Sequence, residues 1–379
     1  AVVGTLHDVL GRFVPPSSRS FHGLYSEVIA LRDDVRTLSD EVWKLREQNM
    51  DLQKRCSELN DFGHLCRGDL DAHDAHMKLM MWNAMRRDGE TLEETKKAFF
   101  GQLSTDDERM LLLQRGNSQL LFDFSELCKQ LGIEYWLMFG SLLGAVRHGG
   151  FIPWDDDLDV GMTRDDVQKL ANVVNDDNRY RISSVFDYYA HCWQLRFMYS
   201  DEDNPCFIDL FIFDFSKDVD AASFEKLLSL RAAMIDEMDS KPELNNWVNV
   251  PNLNAEDGSL LAAEISDIFN RYREQARDLG VGGLSSEQSD GLTYAIDNFY
   301  DPSDGVLSYA FDDIFPTARL QFNGVEVSVP QRFQMLLAHC YGDIYELPRD
   351  INTHYEHVSK EQLADEKARA AILRQLNKE

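Results

Sequence analysis

The sequence predicts an α/β (α+β) domain with a mixed sheet, preceded by an N-terminal parallel coiled coil. Three observations support this prediction. A heptad pattern runs without interruption through residues 21–60. From about residue 116 onward, short runs rich in aromatic and β-branched residues follow amphipathic segments, which is typical of domains that combine strands and helices. The length of 379 residues exceeds that of one typical domain, so we expect two or three structural units.

The predicted organisation along the chain has five parts. We assign residues 1–20 to a flexible leader, 21–60 to the coiled coil, 61–115 to a helical connector, 116–358 to the α/β domain, and 359–379 to an exposed, charged C-terminal helix. The chain begins with Ala rather than Met, so a preceding segment that includes a membrane anchor is left open.

The coiled-coil prediction rests on the spacing of apolar residues. Residues at alternating spacings of three and four form one narrow stripe: Val28, Leu31, Val35, Leu38, Val42, Leu45, Asn49, Leu52, Cys56 and Leu59. Val at the first core position with Leu at the second favours two parallel strands, and the single Asn49 would fix their register. The alternative is one amphipathic helix packed on its own domain, but charged residues fill the positions beside the stripe. We therefore expect a homodimer.

The elements of the α/β domain follow from composition and periodicity. An amphipathic helix over 120–132 ends at Gly132. The predicted strands are 133–139, 157–162, 179–186, 193–199 and 206–213, with a short helix over 141–147 between the first two. The segment 221–300 is mostly helical in pattern.

Charge excludes some classes of partner. Lys and Arg total 38 against 66 Asp and Glu, which gives a formal net charge of −28. Such a surface repels nucleic acid and anionic lipid, and the sequence has no basic cluster to overcome this, so we expect no nucleic acid partner. An anionic small substrate would need a metal or local arginines to be held.

The expected compartment follows from cysteines and hydropathy. The six cysteines form no CxxC pair, which favours a reducing compartment. No stretch of 18 apolar residues is present, so the sequence predicts no transmembrane segment in this chain. We expect a cytoplasmic protein, at most peripheral to a membrane, or one of the Golgi lumen if a eukaryotic anchor has been removed.

The stretch FGSLLGAVRHGGFIPWDDDLDVG (139–161) places four carboxylates within five residues. In a strand, alternate residues share a face, so Asp157 and Asp159 point the same way and Asp155 extends the row. Oxygen ligands in this arrangement suit Mg²⁺ or Mn²⁺. An EF-hand calcium loop is excluded, because Val160 stands where Gly is required and Asp166 where Glu is expected. Interleaved apolar residues weaken the alternative of a solvated acidic turn.

A third acid and a phosphate-binding turn complete the pattern. Asp209 lies within CFIDLFIFD, where burial is tolerated if the carboxylate ligates a metal or meets a cation; the alternative is an outward-pointing strand end. Gly140 and Ser141 stand between a strand and a helix, a place where backbone N–H groups bind phosphate. Arg147 and His148 follow about two turns later and would neutralise phosphate oxygens. This order of features is typical of a nucleotidyltransferase-type metal site.

Three motifs of the sequence together resemble those of a known family. GSLLGAVRHGGFIPWDDDLDVGM closely resembles the core motif of the LicD family, the phosphocholine transferases of bacterial surface glycans, which includes the fukutin-like proteins. FIDLFIFD resembles the family's second acidic strand, and residues 327–350 resemble its C-terminal block. The resemblance covers roughly residues 116–350, and the coiled coil lies outside it.

The resemblance implies a nucleotidyltransferase-like fold and a divalent metal. It implies transfer of a phospho-alcohol group, such as phosphocholine or phosphoribitol, from a CDP-linked donor to a glycan hydroxyl. Matching positions make Asp157, Asp159 and Asp209 the metal ligands. Gly140 and Ser141 would lie at the donor phosphates, and Arg147 would steady the donor diphosphate or the leaving nucleotide. The general base, Asp209 or Asp155, is left open.

Three other functions compete with this interpretation. A glycosyltransferase would also use a DxD motif to hold a metal and a sugar nucleotide, and a nucleotidylyltransferase would attack a different phosphorus. A coiled-coil assembly protein with a degenerate domain would not be an enzyme, but the intact acids argue against it. The released molecule separates the enzymes: CMP indicates phospho-alcohol transfer, UDP or GDP glycosyl transfer, and pyrophosphate nucleotidyl transfer.

Overall fold

The computed structural model describes residues 19–174, 178–346 and 357–377. The chain divides into two compact units, residues 1–88 and 89–379. Residues 1–18, which make up most of the predicted leader, lie outside the described residues, as does the end of the predicted C-terminal block from 347 to 350. All six cysteines are free thiols.

The first unit contains one long helix, α1 (Arg19–Met85), of 67 residues. It continues past residue 60, where we expected the coiled coil to give way to a connector. Its apolar stripe is exposed in this single chain; Leu31, Leu38 and Leu45 are 59–64% accessible. Among the described helices, none combines the length and the apolar character needed to cross a membrane.

The second unit holds the remaining helices. Their bounds are α2 (Leu92–Gln102), α3 (Glu108–Leu131), α4 (Phe139–Arg147), α5 (Arg164–Val174), α6 (Ala221–Ser240), α7 (Leu260–Asp278), α8 (Phe311–Ile314), α9 (Phe333–Tyr341), α10 (Lys360–Leu363) and α11 (Glu366–Leu376). Helix α3 begins at 108, earlier than predicted, because Asp107 caps its first turn through the Arg109 amide. It ends as predicted at Gly132, which has φ 63°.

The second unit also holds a mixed sheet, as the sequence predicts. Its strands are β1 (Tyr135–Leu137), β2 (Asp159–Thr163), β3 (Tyr180–Asp187), β4 (Cys192–Tyr199), β5 (Phe207–Ser216), β6 (Asn252–Asn254), β7 (Gly291–Tyr294) and β8 (Ser308–Ala310). The order is β1-β2-β5-β4-β3-β6, and β7 joins β5 to β8. The β2–β5 pair is parallel and the other pairs are antiparallel. Strands β9 (Ala318–Phe322) and β10 (Val325–Val329) form a separate hairpin.

The sheet separates two hydrophobic clusters. Val160 of β2 and Leu210 of β5 belong to the cluster that contains Leu120 and Phe124 of α3. Phe213 of β5 belongs to the other cluster, together with residues of α6 and α7. Because successive residues of a strand face opposite sides, Asp159 and Asp209 lie on the face away from Val160 and Leu210.

Two parts of the second unit differ from the prediction. The segment 221–300 forms helices α6 and α7, but it also supplies β6 and β7 to the sheet. The sequence did not reveal these strands because they have only three and four residues, too few for a clear periodic pattern. The tail is not one exposed helix. It forms α10 and α11, and Ala371 and Ile372 are buried. A Cβ built on Gly116 of α3 would lie only 2.9 Å from Cγ2 of Ile372, so α11 packs closely against α3.

A network of arginines and carboxylates lies one residue past the C-terminal end of β2. The Nε and Nη2 atoms of Arg164 donate to Asp214 of β5 at 2.6 and 2.7 Å, and Nη2 also donates to Asp297. Arg273 of α7 donates to Asp297 as well. Asp297 is fully buried. Burial raises the pKa of Asp297, but the charges of Arg164 and Arg273 outweigh this effect and hold the pKa well below its usual range. Two arginines therefore neutralise two acids here.

Candidate metal centre

The site lies where three neighbouring strands present polar residues in one row. In the parallel β2–β5 pair, Asp159 is opposite Asp209. In the antiparallel β4–β5 pair, Arg196 is opposite Asp209. Residues directly opposite one another in a sheet share a face, so Asp159, Asp209 and Arg196 are brought side by side by strand register.

Asp157 completes a group of three carboxylates. Asp157 precedes β2 in the structure. The strand that the sequence predicts over 157–162 begins two residues later, at Asp159. One carboxylate oxygen each from Asp157, Asp159 and Asp209 lies within 4.8 Å of the others, and all three residues are buried. The structure thus brings together the three acids that the sequence selects. Their role as ligands stays a prediction.

The charge of this group is only partly neutralised by the protein. Burial raises the pKa of Asp157 and Asp159 well above the usual value, and the neighbouring carboxylates raise it further. Within the described part of the chain, no lysine, arginine or histidine forms an ion pair with Asp159. Buried like charges of this kind are costly unless a cation compensates them.

Asp209 does meet a cation of the protein. The Arg196 Nε atom donates to Oδ1 of Asp209 at 2.8 Å, and Nη2 donates to Oδ2 at 3.4 Å. The guanidinium also stacks over the Phe207 ring at 4.0 Å. The sequence left two partners open for a buried Asp209, a metal or a cation, and Arg196 supplies a cation.

A histidine that sequence reasoning missed also reaches the acids. The Nδ1 atom of His357 lies 3.0 Å from Asp156 and 3.2 Å from Asp157. Burial lowers the pKa of His357, but the bond to Asp156 and the nearby charges outweigh this effect and raise the pKa to about 8. Asp156 and His357 are 201 positions apart, so no local pattern connects them.

Two amides of α3 hold the acidic loop. The Gln114 Nε2 atom donates to the carbonyl oxygens of Ile152 and Asp155 at 3.2 and 2.9 Å. The Asn117 Nδ2 atom donates to the carbonyl of Asp156 at 3.0 Å, and its Oδ1 accepts the Phe207 amide. Asn117 therefore ties the loop to the start of β5. Sequence reasoning missed both, since a polar residue on a buried helix face reveals no partner.

The strand-to-helix turn abuts this loop. A Cβ on Gly140 would lie 2.9 Å from Oδ2 of Asp155, so a larger residue at this position would require that carboxylate to shift. Ser141 is buried, and its hydroxyl accepts the Asp159 amide at 2.8 Å. Phe139 has φ 42°, an unusual backbone conformation of the kind found at functional sites. Gly140, Ser141 and Asp155 are thus placed beside the three clustered acids.

Arg147 and His148 are placed differently. Arg147 Nη1 donates to the Ile344 carbonyl at 2.9 Å, and Nε donates to Nε2 of His148 at 3.0 Å. The guanidinium lies over Phe100 at 4.7 Å. Burial and the charge of Arg147 lower the pKa of His148 to about 4, so it is neutral near pH 7. In the described residues the hydrogen bonds of this pair do not reach the acids. Their role at donor phosphates stays a prediction.

Part of this chain matches a known family of domains. Residues 132–253 match the family described as the nucleotidyltransferase domain of LicD, FKTN and FKRP. This range contains the turn at Gly140 and all the clustered acids from Asp155 to Asp209, but not His357. The resemblance to the LicD family that the sequence predicts is therefore confirmed over this part of the chain.

Named relatives show the same similarity. The chain is 37% identical over 103 residues to the lipopolysaccharide cholinephosphotransferase LicD of Haemophilus influenzae. The aligned part covers 24% of this chain and 39% of that protein. It is 38% identical over 89 residues to the ribitol 5-phosphate transferase FKRP of mouse and of human, covering 22% of this chain and 17% of FKRP. The chain thus matches well under half the length of each relative.

Proposed function

We propose that this chain is a metal-dependent phosphotransferase of the LicD type. It moves a phospho-alcohol group, such as phosphocholine or phosphoribitol, from a CDP-linked donor to a glycan hydroxyl. The observation that carries the proposal is the buried group of Asp157, Asp159 and Asp209 inside the matched domain. The names of the relatives support the class of group transferred, because one is a cholinephosphotransferase and another a ribitol 5-phosphate transferase.

The three carboxylates fit a divalent ion. Their oxygens lie within 4.8 Å of one another, and an all-oxygen donor set suits Mg²⁺ or Mn²⁺. The raised pKa values of Asp157 and Asp159 also indicate that, among the described residues, His357 and Arg196 only partly compensate the charge of these acids. Asp157, Asp159 and Asp209 would hold the ion, which would neutralise charge on the donor phosphates.

Other side chains of the site would orient a metal ligand and accept the proton of the glycan hydroxyl. Arg196 holds the Asp209 carboxylate in one orientation, which suits a ligand. Asp155 lies against the start of α4, where the backbone N–H groups at Gly140 and Ser141 would receive the donor phosphates. We therefore assign Asp155, rather than Asp209, as the base that accepts the proton of the glycan hydroxyl.

Nucleotide release tests the proposed reaction. The full chain is incubated with Mg²⁺ or Mn²⁺, a mixed glycan extract, and separately CDP-choline, CDP-ribitol, CDP-glycerol, CDP-ethanolamine, UDP-sugars and nucleoside triphosphates. We expect CMP from one CDP donor, and no CMP after chelation of the metal. UDP from a sugar nucleotide would contradict the proposal and favour a glycosyltransferase, while pyrophosphate from a nucleoside triphosphate would favour a nucleotidylyltransferase.

We further propose that α1 joins two copies in a parallel coiled coil. In the structure the helix continues to Met85. Leu70, Met77 and Met80 fall at the spacing of the predicted stripe, with Gly63 and His73 interrupting its apolar character after Leu59. In a parallel pair Glu41 of one copy would face Arg46 of the other, so the flanking charges attract. The exposed apolar stripe supports a second copy as the partner.

Light scattering after size exclusion tests the dimer. We expect a mass of two chains for the wild type. The double variant Leu38→Glu with Leu45→Glu places charged residues within the stripe. We expect it to have the mass of one chain, because burying carboxylates in a coiled-coil core is costly. Leu65→Glu with Leu79→Glu changes two leucines that are also exposed but lie outside the stripe, and should leave the dimer intact. A wild-type mass of one chain would disprove the proposal.

A further inference from the structure

His357 lies between two of the acidic residues. Its Nδ1 atom is 3.0 Å from Oδ1 of Asp156 and 3.2 Å from Oδ2 of Asp157. An ionised carboxylate only accepts hydrogen bonds, so Nδ1 carries a hydrogen, which it donates to Asp156, and the Asp157 carboxylate lies at ion-pair distance from the same nitrogen. Asp157 belongs to two groups of potential ligands, one with Asp156 and His357, and the other with Asp159 and Asp209. A residue that holds Asp157 therefore acts on the proposed metal ligands.

Asp156 is used by the protein itself. Its Oδ2 atom accepts the backbone N–H groups of His357 and Val358, each at 2.8 Å, and its Oδ1 atom faces the His357 ring. With three nitrogens around it, this carboxylate is suited to anchoring the chain at residue 357. It is less suited to ligating an ion, although it stands between Asp155 and Asp157 in the sequence.

The position of His357 is fixed from its other side as well. Val358 is buried, and the helices that follow it reach α3, where Ile372 packs beside Gly116. The imidazole ring also lies 6.3 Å from the ring of Phe207, at the start of β5. The ring is thus held by contacts that do not involve Asp157, as a group that orients another side chain must be.

We propose that His357 is a positioning residue that orients the Asp157 carboxylate for metal binding, and that Asp156 fixes His357 in place for this purpose. The inference rests on the proposed metal site, and it concerns a residue outside the matched part of the chain. Partners that orient a ligand typically affect metal affinity by about 10–100-fold when they are removed.

Calorimetric titration of the full chain with Mn²⁺ alone tests this role without any turnover. His357→Leu removes the N–H donor, and we expect the Kd for Mn²⁺ to rise by about 10–100-fold. His357→Asn keeps an amide N–H near the place of Nδ1, and we expect a Kd within a few-fold of the wild type. His191→Leu is the matched control, because His191 pairs with Asp239 at 3.1 Å and neither residue is among the clustered acids.

Circular dichroism confirms that each variant is folded before titration. Wild-type affinity in His357→Leu, or equal loss in the Leu and Asn variants, would overturn the role of His357 while leaving the metal site standing. Failure of the wild type to bind Mn²⁺ would overturn both the metal site and this inference. If His357→Leu does not fold, His357→Gln replaces it; its longer amide reaches the place of Nε2, so its Kd should rise while that of His357→Asn does not.

Discussion

Asp159→Asn should lower metal-dependent nucleotide release by roughly 10²–10³-fold or more, the usual cost of removing one group that stabilises charge in a transition state. Asp159 is the acid for which the described protein supplies no ion-pair partner, so it depends most on a bound cation. Asparagine keeps the size of the side chain but removes its charge. The same CMP assay, run at several Mn²⁺ concentrations, measures the effect.

The variant should keep its fold. Burial, and then the charge of Asp157, raise the pKa of Asp159. The folded protein therefore binds this proton more tightly than the unfolded chain does, so the free energy of unfolding of the metal-free protein falls as the pH rises above about 4. Asparagine has no such proton. We expect metal-free Asp159→Asn to melt at the wild-type temperature or above it, with a difference that grows between pH 4 and pH 7.

Asp165→Asn is the matched control for this prediction. Asp165 lies in the first turn of α5 and is exposed, and its substitution removes the same charge close by in sequence. Its activity should stay within a few-fold of the wild type. Added Mn²⁺ should raise the melting temperature of the wild type and of Asp165→Asn, but not of Asp159→Asn. Wild-type activity in Asp159→Asn would rule out the metal assignment.

The sequence predicted the acids of the site because their signals are local. Four carboxylates within five residues, and a carboxylate inside an apolar strand, are visible without any fold. The parallel register that places Asp159 opposite Asp209 is not visible, because nothing local specifies which strands become neighbours. The mixed sheet was predicted, whereas β6 and β7 were missed because each is only three or four residues long.

The residues that hold the acids could not be predicted for the same reason. Gln114 and Asn117 act through backbone atoms about 40 positions later in the chain, and His357 acts on a residue 201 positions earlier. Arg147 also has partners that the local sequence does not reveal. Its guanidinium lies over Phe100 and donates to the carbonyl of Ile344, and its contact with donor phosphates stays a prediction.

Asp297→Asn should have the largest effect on stability. Asp297 is fully buried between Arg164 and Arg273, and removing one partner of such a network leaves charges without compensation. The expected loss in the free energy of unfolding is about 3 kcal/mol, at the lower end for buried pairs because both arginines are partly exposed. Urea unfolding followed by tryptophan fluorescence measures it, with exposed Asp290→Asn as the control.

The pH dependence of this loss has a definite sign. The pKa of Asp297 is held low in the fold, so its contribution to stability is present above the pKa of an unfolded aspartate and is lost as the pH falls. The difference between wild type and Asp297→Asn should therefore shrink below about pH 4. An equal difference at pH 3 and pH 7 would show that packing, rather than charge, accounts for the loss.

The carboxylates at the two ends of the β2–β5 pair differ in how their charge is compensated, and the two predictions together test this difference. Asp159 and Asp209 stand at the start of the paired region, and Arg164 and Asp214 stand directly after it. At that far end arginines neutralise the carboxylates, so those acids stabilise the fold and need no ion. At the near end the described protein leaves Asp159 without an ion-pair partner, so charge balance there needs a cation. Asp297→Asn should lose stability, but Mn²⁺ should still raise its melting temperature. Asp159→Asn should keep its stability, but Mn²⁺ should not raise its melting temperature. If Asp297→Asn folds but no longer responds to Mn²⁺, the two ends are coupled and this division of roles is wrong.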